Sequence, residues 1–149
     1  MGYNTDFDGC FKLDRTLDLG TRKLLEGLNR TRRMKRLVDI KYGVEGEFYV
    51  QDDHEGVVNP NEPPSTQPGL WCQWAPFEYE EDGVLTAGLE WDGGEKFYDY
   101  VEWLQYLLDK VLIPKGYELS GEVRYRGEDP NDIGVISVED NKITMKQWQ

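Results

Sequence analysis

Histidine occurs once in the 149 residues and cysteine twice. The lone His54 sits among Asp52, Asp53 and Glu55, and Cys10 and Cys72 show no ligand spacing. A zinc site needs several such ligands at short, regular intervals, and a Cys–His catalytic pair needs an orienting partner. Neither can be built here, so no metal and no cofactor is expected. Long apolar runs are missing too: none approaches the roughly 18–20 residues that a membrane-spanning helix requires. The start, Met1-Gly2-Tyr3-Asn4-Thr5-Asp6, lacks a basic and then apolar leader, and Asp6 stands where a myristoylation motif needs Ser or Thr. With only two thiols, the chain reads as a cytoplasmic protein with reduced cysteines.

Positive charge is also scarce. Seventeen Lys and Arg face 29 Asp and Glu, for a net charge of −12. A field of that sign repels a phosphate backbone, so direct nucleic-acid binding is not expected. The deficit is uneven. Residues 21–41 hold eight basic and two acidic side chains (+6), whereas residues 42–149 hold seven basic and 23 acidic (−16). A basic segment is set on an acidic body.

A chain of this length makes one domain and can bury a core without staples. Residues 3–13 alternate with aromatics on one side, the pattern of a half-buried strand, and Gly9 suggests a bulge in it. Asp18 offers an N-cap for a helix over 19–38, with a bend, or two short helices meeting, near Asn29–Thr31 where Met34, Leu37 and Val38 leave the Leu24/Leu25/Leu28 face. A short strand is expected at Glu47–Val50. Residues 51–69, with Pro60, Pro63, Pro64 and Pro68, have no periodicity and read as a flexible or functional loop. Strands follow at 70–77 and 85–91, turned through Glu80-Glu81-Asp82-Gly83. A second helix is expected from Gly94 to Leu112, opened by Asp92 and Glu95 as a capping box and stopped by Pro114 and Gly116. Three more strands, at 117–125, 135–138 and 142–148, complete the order β-α-β-β-β-α-β-β-β. Short turns between neighbouring strands imply antiparallel pairing, so the class is a single-domain α+β fold with a mainly antiparallel sheet of six to seven strands.

Two segments are candidates for binding. On the basic segment, Arg32 and Lys35 continue the Leu24/Leu25/Leu28 face beside Arg33, and guanidinium forks suit phosphate or carboxylate. The competing reading is that these cations simply pair with the acidic body. The second candidate is aromatic. Trp71 and Trp74 fall on opposite faces of a regular strand, which brings one of them to the surface near the Pro-rich loop. With Tyr98 they supply stacking faces and polar handles of the kind found at interfaces. Trp91-Asp92-Gly93-Gly94-Glu95 looks like a phosphate loop only until its acids are counted. No catalytic residue is assigned.

Four segments carry a resemblance: Met1-Gly2-Tyr3-Asn4-Thr5-Asp6-Phe7, Asn29-Arg30-Thr31-Arg32-Arg33-Met34, Gln67-Pro68-Gly69-Leu70-Trp71-Cys72-Gln73-Trp74 and Trp91-Asp92-Gly93-Gly94-Glu95-Lys96-Phe97-Tyr98. Together they resemble a family of short, uncharacterised proteins of bacteria and their phages. The resemblance implies a stand-alone domain and no particular activity. A phage connection implies an inhibitor or sequestering protein directed at a host. Separately, Asp6-Phe7-Asp8-Gly9 and Gly127–Asp132 resemble the nucleophile and Mg²⁺-binding motifs of haloacid-dehalogenase-type phosphatases, but the alternating βαβ pattern of that fold is missing.

The leading expectation is therefore a non-catalytic protein that binds and blocks a partner, a host protein. The alternatives are a binder of a nucleotide or phosphorylated compound through Arg32, Arg33 or Lys35, and a Mg²⁺-dependent phosphatase.

Overall fold

The computed structural model describes residues 2–36 and 56–147. Its main feature is a six-stranded antiparallel sheet. It is built from β1 (Thr5–Leu13), β4 (Trp74–Glu81), β5 (Val84–Trp91), β6 (Leu119–Gly127), β7 (Ile133–Glu139) and β8 (Lys142–Gln147). Two short strands, β2 (Lys35–Arg36) and β3 (Val57–Asn59), pair separately, and the helices are α1 (Leu19–Arg30) and α2 (Tyr100–Leu107). The α+β class follows as the turn chemistry predicts. The expected strand at Glu47–Val50 lies outside the described residues, as do Leu37, Val38 and His54.

The sheet order is β4-β5-β1-β6-β7-β8, which puts the N-terminal strand in the middle. β1 runs beside β6 in one register from Thr5↔Gly127 to Leu13↔Leu119. That continuity carries straight through Gly9, so the expected bulge does not form. Gly9 instead has a φ of 108°, and a Cβ there would stand 2.8 Å from the Glu122 carbonyl. Two hairpins, β4–β5 and β7–β8, close on two-residue turns with positive φ at both positions: Asp82-Gly83 and Asp140-Asn141. This turn type matches the right-handed twist of the strands it joins, and Asp, Asn and Gly adopt it at least cost.

Asp18 caps α1 as expected. Its carboxylate accepts from the Thr21 backbone N–H (2.8 Å), the Thr21 hydroxyl (2.8 Å) and the Tyr117 hydroxyl (2.9 Å), tying the helix start to the entry of β6. α1 ends at Arg30, not Val38, because Thr31 turns extended (φ −121°, ψ 144°) and donates its hydroxyl to the Gly27 carbonyl. α2 starts at Tyr100, not Gly94. Positive φ at Gly93, Lys96 and Asp99 keeps residues 92–99 out of a helix. Asp92 does not form a capping box with Glu95; it accepts from the Gly94 N–H and from Asn29 Nδ2. Beyond Leu107 the coil widens into a π-helical turn, Leu108–Leu112, closed by Ile113 N–H to Leu108 O at 2.8 Å. Gly116, at φ 81°, ends it near the expected place.

One face of the sheet meets α1 and α2 over a single core. Its centre is aromatic: the Trp74 ring meets Phe7, Phe11 and Phe97 edge-on at 5.3, 5.5 and 5.2 Å. Edge-to-face pairs place positive ring edges on negative faces and add to simple burial. The other face presents Asp6, Asp8, Lys12, Glu122, Arg124 and Arg126 to solvent. Among the described residues, no helix is long and apolar enough to cross a membrane.

Candidate functional site

The six residues singled out in the sequence separate once folded. Trp74 is 1% exposed, and its indole N–H donates to the Tyr100 carbonyl at 2.8 Å, so it belongs to the core. Trp71 precedes β4, because the strand begins at Trp74 and not at Leu70. The two tryptophans therefore do not lie on opposite faces of one strand. Trp71 stays half-buried and comes together with Tyr98, which is 53% exposed, across a groove of about 540 Å³.

Arg32, Arg33 and Lys35 form no common cluster facing solvent. Arg32 donates to the Pro60 carbonyl (3.0 Å) and to Asn61 Oδ1 (3.4 Å). Arg33 is wholly buried; its Nε donates to Gln67 Oε1 (3.2 Å), its Nη1 to the Thr31 hydroxyl, and its backbone N–H to Leu70 O (2.7 Å). The Lys35 backbone N–H reaches Glu62 O at 2.7 Å while its side chain is exposed. The basic segment thus staples residues 59–70 in place. Elsewhere it pairs with acids, as Arg22 does with Glu26 and Glu78 and Arg30 with Glu26.

That stapled segment is one wall of the groove, with Pro63, Pro68 and Leu70 beside Trp71. The opposite wall is residues 95–99, fixed from behind. Gln73 Nε2 donates to Glu95 O at 2.7 Å, the Lys96 N–H to Asn4 Oδ1 at 3.1 Å, and the Tyr3 N–H to the Tyr98 hydroxyl at 3.1 Å. Gln73 is buried and also accepts from the Trp91 indole at 3.0 Å. A side-chain amide suits this work because it donates and accepts at once.

Two side chains pack against Gly69: Asp99 within the groove and Trp103 in the core behind it. Trp103 is fully buried, and among the described residues its indole N–H has no hydrogen-bond partner. A buried donor left unmade costs about 1–3 kcal/mol. Asp99 precedes α2 in the left-handed region (φ 58°, ψ 36°), yet its carboxylate makes no capping bond to the helix. Both groups converge on Gly69: a Cβ built there would stand 3.2 Å from Trp103 Nε1 and 3.3 Å from Asp99 Oδ2. Glycine lets the backbone pass this close; a methyl there would press on both. Sequence reading missed Trp103 because it lies in the apolar stripe of α2. It missed Asp99 because the capping signal was assigned to Asp92; the available signal was an acid immediately before the first helical residue.

The acidic motifs that resemble a phosphatase are used otherwise. Asp6 and Asp8 stand opposite Arg126 and Arg124 within an antiparallel ladder, not at the end of a parallel strand. In the Gly127–Asp132 turn, Asp132 accepts from the Tyr3 hydroxyl at 2.7 Å and Glu128 from the Asn4 N–H at 3.1 Å, anchoring the N-terminal segment. A second depression, about 460 Å³, lies over Asp6, Asp8, Arg124 and Arg126 on the open sheet face. Among the described residues no group of three or more His, Cys, Asp or Glu side chains is arranged to hold a metal ion.

Comparison of the chain with protein-family models, curated proteins and solved structures gave no match.

Proposed function

We propose that this is a non-catalytic binding protein and that the groove between the Pro-rich wall and residues 95–99 is its contact surface. The observation that carries this reading is the groove in which half-buried Trp71 and exposed Tyr98 come together between two hydrogen-bonded walls. They supply the amphipathic aromatic surface that anchors protein interfaces. Asp99, in the same groove, has left-handed backbone, and backbone strain tends to collect where a partner binds. Blocking a host protein is the role this surface suits best, since a rigid, pre-set groove binds without an ordering cost. A nucleotide or phosphate binder would gather several free cations, whereas Lys35 alone of the three candidates is exposed and Arg32 and Arg33 spend donors on Pro60, Asn61, Gln67 and Thr31.

The test is affinity capture from bacterial extract with the wild-type chain and a Trp71→Ala/Tyr98→Ala double variant, alongside thermal shift against a nucleotide panel. The reading expects one protein retained by the wild type and lost by the variant. A strong rise in melting temperature with a nucleotide, undiminished in the double variant, contradicts it.

A further inference from the structure

The open face of the sheet carries a charge pattern that fits a copy of itself. Asp6 and Asp8 on β1 stand directly opposite Arg126 and Arg124 on β6. All four side chains are exposed, and they flank the depression of about 460 Å³. An acid and a base facing each other across a ladder usually pair. Among the described residues, none of these four side chains makes an ion pair or a hydrogen bond. With Lys12 and Glu122 beside them, three acids balance three bases at the centre of the face, although the whole chain carries −12. The self-repulsion of an acidic chain is thus relieved here.

The cross-strand rows make the pattern self-complementary. Consider a second copy given half a turn about an axis that runs along the strands, above the gap between β1 and β6. It lays its β1 over this β6 and its β6 over this β1, and each row keeps its own level. Asp6 and Asp8 come over the partner's Arg126 and the partner's Arg124, and the partner's acids over this chain's guanidiniums. Cys10 and Glu122 change places in the next row, and Lys12 and Ser120 in the one after, so no like charges meet over the two central strands. The face is also large enough. Six strands about 4.8 Å apart, each with about 20–25 Å in the sheet, offer roughly 600–700 Å² in projection. A standard interface buries about 800 Å² per partner, so a weak, reversible dimer is the expected scale.

We infer that the open face is the contact of a two-fold homodimer, held by the β1 carboxylates of each chain on the β6 guanidiniums of the other. Planar guanidinium forks suit carboxylates, and two-fold symmetry turns two unpaired rows into four intermolecular pairs. None of the residues lining the groove belongs to these strands, so the dimer and the proposed contact surface stand independently.

Sedimentation velocity of the full chain in about 0.15 M salt, from about 5 to 500 µM, reads the association. The wild type moves from 17.4 kDa toward twice that mass as concentration rises. Two charge reversals carry the test. Asp6→Arg/Asp8→Arg makes both stripes basic, and Arg124→Asp/Arg126→Asp makes both acidic. Each alone dimerises at least about tenfold more weakly than wild type, and an equimolar mixture recovers the dimer because every acid again meets a base. Thermal melts establish that each variant is folded. Where a reversal does not fold, the neutral pairs Asp6→Asn/Asp8→Asn and Arg124→Gln/Arg126→Gln take its place, each weakening the dimer by about threefold or more. A wild-type chain that stays monomeric over the whole range overturns the inference. So does a dimer that the folded variants leave intact, since it forms through another surface, and so does a mixture of folded reversals that stays monomeric.

Discussion

Replacing Trp74 by Phe distinguishes a core tryptophan from a binding one, and its cost can be worked from the contacts. The substitution removes the indole N–H that donates to Tyr100 O at 2.8 Å. That carbonyl opens α2 and keeps its helical donor, so the loss is the net worth of one bond, about 0.5–1.5 kcal/mol. The smaller ring leaves a residual cavity of roughly 40 Å³, adding about 1 kcal/mol. The edge-on contacts to Phe7, Phe11 and Phe97 survive in part, so a total of about 2–3 kcal/mol is expected. For a chain of this size that is a fall of about 4–12 °C in melting temperature. Trp71→Phe, at a half-buried position outside the sheet, should cost less than about 1 kcal/mol. Urea unfolding followed by far-ultraviolet circular dichroism measures both, with the slope checked for constancy. A Trp74→Phe protein within about 0.5 kcal/mol of wild type would refute the central placement of this ring.

Three further outcomes follow from single groups. Hydrogen bonds from the Thr21 backbone N–H, the Thr21 hydroxyl and the Tyr117 hydroxyl hold the Asp18 carboxyl down at about 2. A folded value below the unfolded one stabilises above about pH 4 and is lost as pH falls toward 2, so acid titration of Asp18→Asn should lack that part of the stability slope. Burial pushes the Cys72 thiol up to about 12. At pH 8 a thiol reagent should therefore modify half-buried Cys10 in the native protein and reach Cys72 only after unfolding, read by mass spectrometry of digested fragments. Gly88→Ala would bring a Cβ within 1.9 Å of the Phe11 carbonyl, at the junction of β1 and β5. Backbone cannot yield that far within a ladder, so the variant should lose more than about 3 kcal/mol or fail to fold, as thermal denaturation would show.

Local chemistry made much of this architecture legible. The alternation in β1, the cap at Asp18 and the stop at Gly116 all follow from side chains acting within a few residues of themselves. The position of β1 between β5 and β6 does not, because pairing over a hundred residues leaves no local period. The start of α2 was hidden for a related reason. Asp92 and Glu95 have capping-box spacing, yet Asp92 is occupied by Asn29, 63 residues away, and Gln73 holds the carbonyl of Glu95. Arg32 and Arg33 read as an anion site since their charge is visible in the sequence, whereas the carbonyl and amide oxygens they meet at 60–67 are not. Tyr98 and Trp71 were found by residue type; the packing of Trp103 and Asp99 against Gly69 joins positions some thirty residues apart, which no spacing reveals.

The most direct measurement of the groove is affinity capture by the wild-type chain and by the Trp71→Ala/Tyr98→Ala double variant, taken with their melting temperatures. Trp71 is half-buried outside the sheet and Tyr98 is exposed, so both truncations leave the core intact. The account predicts that a protein retained by the wild type is lost by the double variant, whose melting temperature stays within about 5 °C of wild type. Equal retention by a folded double variant would contradict it.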